Sequence, residues 1–230
     1  MWRVAGSGDR RSRNVDGVEE QTTTSRRGET YAGRSREERA NERRERIVAS
    51  AVHLFGTRDY DDVTVADICA GAKVSKRYFY EHFDDRADLL LRVNREQNEW
   101  LLRGVGRAVP ERPASLEELF GAALHTLVEM LASHPESARV IYVNAPRMET
   151  RRRGVLREDA QFVAAVLERA VGKPDDPVGY QRTLLALVSG LSEVIIDWIS
   201  HDMAGDPGEL ADHLTRIAVA LTSTIRPALP

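Results

Sequence analysis

The stretch TVADICAGAKVSKRYFYEHF, residues 64–83, decides the fold. It is mostly polar, yet it gathers Tyr78, Phe79, Tyr80 and Phe83 beside Lys73, Lys76 and Arg77 around a short turn. Thr64 is an N-cap candidate, and Asp67 three residues on completes a capping box in which Asp stands for the usual Glu. The short helix that follows runs to about Gly71 and buries Val65, Ile68 and Cys69. GAKV forms the turn, and Ser75 caps a second short helix from Lys76 to Phe83. Within it Phe79 and Phe83 are four residues apart and share one face. At about 100° per residue, Arg77, Tyr78 and Glu81 project away from that pair, with Tyr80 and His82 on the flanks. A helix that offers its N-terminal side chains after a tight turn is how a helix-turn-helix enters the major groove. Arg can fork onto guanine O6 and N7, Lys can donate to the same edge, and hydroxyls can reach phosphates.

Working outward, Ile47, Ala51, Leu54 and Phe55 form the stripe of an amphipathic helix that Gly56 and the polar TRDYDD end. Downstream, Asp84 or Asp85 caps a longer helix carrying Leu89, Leu90, Val93 and Trp100. AVPERPAS at 108–115 then interrupts the chain at a domain boundary. Helical patterns follow near 115–133, 136–145, 150–171, 177–202 and 207–225, separated by Pro135, Pro146, GKPDDP and AGDPG. No strand-like alternation and no repeat occurs, so the expected fold is all-α. Residues 1–33 lack apolar content and period and read as a disordered tail.

Composition bounds the alternatives. The 230 residues are 42% hydrophobic and 30% charged, a balance suited to a soluble chain with a real core. The net charge of −3, and the 14 basic against 14 acidic residues between Arg34 and Gly104, require any DNA footprint to be local. No run of about 18 apolar residues is evident, so a membrane span is not expected. The single cysteine, Cys69, fits a reducing cytoplasm and an inert place in the core. His125/Glu129 and Asp197/His201 have helical metal-pair spacing, which more often marks surface ion pairs. No phosphate loop, nucleophile elbow or carboxylate pair stands out, so neither an enzyme nor a bound metal or cofactor is expected.

TVADICAGAKVSKRYFYEHFDDRADLL resembles the helix-turn-helix signature of the tetracycline-repressor (TetR) family of bacterial regulators. The upstream RERIVASAVHLFGTRDYDDVTV is similar to that family's first helix and its lead into the second. The likeness covers roughly residues 43–91; beyond them only length and helix pattern match. It implies a homodimer with a DNA-binding domain at 34–90, a connecting helix to about 106, and an effector-binding and dimerisation domain at 107–230. By position, Lys76, Arg77 and Tyr78 would read bases of a palindromic operator in double-stranded DNA, while Thr64, Tyr80, His82 and Arg86 would contact phosphates. Lys73 departs from the family's usual Gly and would need a left-handed backbone. Ala66 stands where some members carry a longer base reader. The basic arm of Arg34, Arg36, Arg39, Arg43 and Arg44 is either a minor-groove contact or a solvated, charge-mixed helix start.

In the C-terminal half, Leu184, Leu187, Leu191, Ile195 and Trp198 line one helix face, and Leu210, Leu214, Ile217, Leu221 and Ile225 line another. The resemblance implies that these two helices build the dimer interface, where Gly190 would allow close approach. It also puts a cavity among the middle helices, with Trp100, Phe120, Leu124, Leu127, Tyr142, Asn144 and Phe162 as candidate contacts. Asn144, in the apolar VIYVNA, would be its polar handle, and Arg147 a second one. The expected function is a cytoplasmic transcriptional repressor released from DNA by a small, largely apolar effector. An activator of the same fold, or an architectural DNA-binding protein without effector, are the alternatives.

Overall fold

Ser35 starts the first helix. Its hydroxyl accepts from the Glu38 amide at 3.0 Å while the Glu38 carboxylate accepts from the Ser35 amide at 2.6 Å, a complete capping box that satisfies two orphan donors. In the computed structural model, which describes residues 35–144 and 149–223, the helices in chain order are α1 (Arg36–Thr57), α2 (Val65–Ala72), α3 (Lys76–Tyr80), α4 (Arg86–Ala108) and α5 (Leu116–Ser133). They continue with α6 (Pro135–Arg139), a π-helical turn (Val140–Asn144), α7 (Glu149–Val171), α8 (Pro177–Ser200) and α9 (Pro207–Thr222). The described residues contain no strand, so the all-α expectation holds. The 1–33 tail, Arg34, Pro146, Arg147, Ile225 and the side chains of 151–153 lie outside what the structure describes.

The helix boundaries follow from caps. Thr64 and Asp67 make the expected box, which holds the Asp67 carboxyl below its ordinary range through the Thr64 hydroxyl and amide. Asp85, Ser115, Asp176 and Asp206 cap α4, α5, α8 and α9. Lys73 ends α2 in the left-handed region, φ 55° and ψ 46°, as its place in the turn requires. The helix expected over Lys76–Phe83 is shorter. α3 stops at Tyr80 because the His82 and Phe83 amides both return to the Phe79 carbonyl, tightening the chain so that Phe83 swings into the core.

Two cores result. The first joins Ile47, Phe55, Ile68, Phe79, Phe83, Leu89 and Val93, all essentially inaccessible, and takes Val140 from far along the chain. Each fully buried side chain of this size contributes about 1.5–3 kcal/mol of transfer free energy. The second runs from Leu101 through α5 to α8 and α9 and includes Ile141. α4 passes through both, and α1 packs against α6. Gly56 makes the α1–α6 approach possible: a Cβ there would sit 2.6 Å from the Glu136 Cα. α8 is long and apolar enough, by length and composition, to cross a membrane. Its Leu184, Leu187, Leu191 and Ile195 instead fill the second core, while Arg182, Glu193 and Asp197 break the outer face.

Candidate DNA interface and effector cavity

The exposed side chains of the helix-turn-helix stand on a buried base. Phe79 and Phe83, with ring centroids 5.6 Å apart, anchor α3 in the first core. Lys76, Arg77, Tyr78 and Tyr80 are exposed around that anchor, Tyr80 at 58%. Arg77 pairs with Glu81 at the end of its own helix, Nε 3.3 Å from Oε1, a weak surface pair that a stronger partner can displace. Over the Tyr78 ring lies the Arg43 guanidinium of α1, 4.3 Å from the centroid, a cation–π contact that fixes the ring's direction. α2 is seated on α1 where the Ser50 hydroxyl donates to the Ile68 carbonyl at 3.0 Å. Thr64 is exposed at the start of α2, its hydroxyl shared with Asp67.

Two residues expected at phosphates are turned elsewhere. The Arg86 guanidinium stacks 4.0 Å from the Tyr60 ring and donates to the carbonyls of Tyr60, at 3.0 Å, and Val63. Its Nη1 thereby ties the turn after α1 to the start of α4. His82 is half-buried beside Phe83, and its Nε2 is buried without a hydrogen-bond partner among the described residues. Both side chains are half-buried and lean on the protein, Arg86 on Tyr60 and His82 on Phe83. The basic arm resolves as the opening turns of α1, in which Arg44 pairs with Glu96 at 2.9 Å, so from Ser35 onward it is helix and not an extended strand.

A cavity opens among α4, α5, α7, α8 and the π-turn, with about 100 Å³ available to the centre of a water-sized sphere. Phe120, Leu124, Leu127, Tyr142 and Phe162 line it, as expected. Trp100 does not: it packs edge-on against His134 at 4.7 Å on the far side of α4. Asn144 does not either. It is wholly buried with its amide donating to the Phe55 and Arg58 carbonyls, the latter at 3.1 Å, and its Oδ1 accepting from the Tyr60 amide at 2.9 Å. These groups are the loose backbone ends of α1, so Asn144 is a clamp between the two cores and not a ligand handle.

The polar groups that do line the cavity are Asn98, Tyr142, Asp159 and Ser192; among its described residues it carries no Lys, Arg or His. Asn98 Nδ2 donates to Asp159 Oδ1 at 3.3 Å. Burial pushes the Asp159 carboxyl up to about 6, with neighbouring Glu158 adding to the rise and the Asn98 bond opposing it. Burial, and then Asp159, also raise the Tyr142 hydroxyl. The sequence does contain the signal for this pair. Asn98 shares a stripe with Leu101, Leu102 and Val105, and Asp159 shares one with Phe162, Val163 and Val166, each a polar residue at an apolar helical register.

Comparison with known proteins converges on one family. Residues 47–93 match the profile of the bacterial regulatory proteins of the tetR family. The chain is 26% identical over 118 residues to the HTH-type transcriptional regulator EthR of Mycolicibacterium smegmatis, a match covering 51% of this chain and about half, 54%, of that relative. A tetR-family regulator from Streptomyces coelicolor superposes with a TM-score of 0.66 over 80% of this chain and 82% of its own, at 16% identity. The regulator FadR of Bacillus subtilis, solved in complex with stearoyl-CoA, does so at 0.56, covering 77% and 98%, at 15% identity. The structural likenesses establish the shared fold, and the profile identifies residues 47–93 as a helix-turn-helix like that of the tetR family of bacterial regulatory proteins.

Proposed function

We propose that the protein is a sequence-specific DNA-binding regulator of transcription, and that as a homodimer it represses from a palindromic operator until a small effector fills the cavity. The observation that carries this reading is the trio Lys76, Arg77 and Tyr78, exposed at the start of a helix that is locked from its other side by Phe79 and, just past its end, by Phe83. Those three would read base edges, with Thr64 and Tyr80 on the flanking phosphates. Dimerisation through α8 and α9 is supported by the apolar surface these helices leave outward, Leu185 at 40% and Leu221 at 36% exposure, and by exposed Gly190, where an added Cβ would meet nothing within 4 Å. Regulators similar in fold and sequence support a role outside catalysis.

Release would use the two elements that touch both cores. α4 runs from Arg86 in the first unit to Asn98 and Val105 at the cavity, and the π-turn carries Tyr142 at the cavity and Asn144 at the end of α1. A ligand that favours the non-binding arrangement by about 1–3 kcal/mol shifts DNA affinity about 5- to 150-fold. The test is capture of random duplex DNA on the purified protein, sequenced, and repeated with Arg77→Ala. A palindromic motif that Arg77→Ala relaxes at one symmetric position, with about 1–3 kcal/mol lost there, is expected. Capture without any motif would overturn sequence-specific regulation in favour of an architectural role.

A further inference from the structure

The effector cavity has an asymmetry that apolar burial alone does not explain. Its wall is mostly Phe, Leu, Val, Ile and Ala with Asn98, Tyr142 and Ser192, and among the described residues one carboxyl, Asp159 of α7, lines it. A carboxylate leaving water needs a counter-charge or several donors. Asp159 receives one long hydrogen bond, from Asn98 at 3.3 Å, and no Lys, Arg or His stands among the described residues of the lining. The Asn98 amide turns its Nδ2 to the carboxylate, which only accepts, and so keeps its Oδ1 as a second acceptor at the same place. Two acceptors side by side in an apolar cavity match a ligand that brings both donors and positive charge.

Resting on the effector reading above, we infer that the cavity is built for a lipophilic amine, its ammonium group held by Asp159 and Asn98 and its hydrocarbon body among Phe120, Leu124 and Phe162. An ammonium donates three N–H groups and restores the charge balance that the lining lacks. The same geometry disfavours a ligand whose buried end is a carboxylate, because two like charges would share a site with one amide between them. The Bacillus subtilis FadR in the comparison was solved with an acyl thioester, stearoyl-CoA. Burial holds the carboxyl up near 6, so at pH 8 it is ionised and ready for a cation.

The experiment uses three eight-carbon probes that differ only in their head group: octylamine, octan-1-ol and octanoate. Each is titrated calorimetrically at pH 8 into the full-length protein and into Asp159→Asn. Release of a fluorescent operator, taken from the capture experiment, is followed in parallel. Octylamine is expected to bind about ten- to hundredfold more tightly than octan-1-ol, the span of a hydrogen bond to a charged group. Octanoate is expected to bind weakest, and Asp159→Asn to bring octylamine to the level of the alcohol. Octylamine binding that Asp159→Asn leaves unchanged, or alcohol or acid binding as tightly as the amine, overturns the inference. The head-group ranking in the unmutated protein stands by itself should the variant not fold. If octan-1-ol binds and releases DNA with no advantage for the amine, only the ligand class falls. If no probe binds or releases DNA, the effector reading falls with it.

Discussion

Asn144→Ala separates a clamp from a ligand handle. Asn144 is completely buried, and its amide makes three hydrogen bonds to backbone groups more than 80 residues earlier: Phe55 and Arg58 carbonyls and the Tyr60 amide. Alanine removes all three. The contact to Phe55 is buried, so its carbonyl is left without water, at a cost of about 2 kcal/mol. The other two are partly accessible and are replaced in part by solvent, about 0.5 kcal/mol each. The expected loss is therefore about 3 kcal/mol. Asn144→Asp keeps the acceptor but sets a carboxylate against two carbonyls, and should lose at least as much. The ion pairs nearby, His53 with Glu136 and Arg139 with Asp59, are too exposed to compensate. Urea unfolding followed by circular dichroism in the far ultraviolet measures the loss directly. Stability within about 0.5 kcal/mol of wild type, together with weakened effector binding, would refute the clamp and return Asn144 to the cavity.

Asp159→Asn is expected to stabilise the protein at pH 8 and to do nothing at pH 4. The folded carboxyl titrates near 6 against an ordinary 3.8, so its favourable contribution is complete below pH 4 and is lost as pH rises through 6. That elevation sets an upper limit of about 3 kcal/mol on the gain, which partial exposure reduces. Urea midpoints at the two pH values check it, and a gain of equal size at both would refute the cause. Lys73→Gly is expected to raise the melting temperature by about 1–4 °C. Relieving a left-handed non-glycine residue at φ 55° gains about 1–2 kcal/mol, of which glycine's unfolded-state entropy takes back about half. A lower melting temperature would show that the lysine side chain itself stabilises the turn.

What is legible in the sequence is local. The capping pair Thr64/Asp67 and the Phe79/Phe83 anchor depend on residues within one or two turns, so spacing alone places them. The left-handed Lys73 is forced by the turn it closes. What is not legible depends on partners far along the chain. A lone Asn in an apolar run can face a cavity or close a distant helix end, and only the proximity of Phe55 and Tyr60 decides for Asn144. Arg86 looks like a phosphate ligand because it follows the recognition helix, and Tyr60 and the Val63 carbonyl capture it first. Trp100 falls one side away because α4 has apolar residues on more than one face, and His134 covers that side. Asp159 and Asn98 hold stripe positions, where the polar residues that interrupt an apolar register give them away.

The π-turn has a consequence for anyone who cuts this protein apart. The obvious place to sever is the proline-rich joint at 108–115, yet the first core takes Val140 from beyond it and α1 is tied off by Asn144. A fragment ending at the joint would carry a hole where Val140 sat and three loose backbone groups. A chimaera that grafts this reading head onto another regulator must therefore bring residues 135–144 as part of the head. The modular border in space does not coincide with the one along the chain.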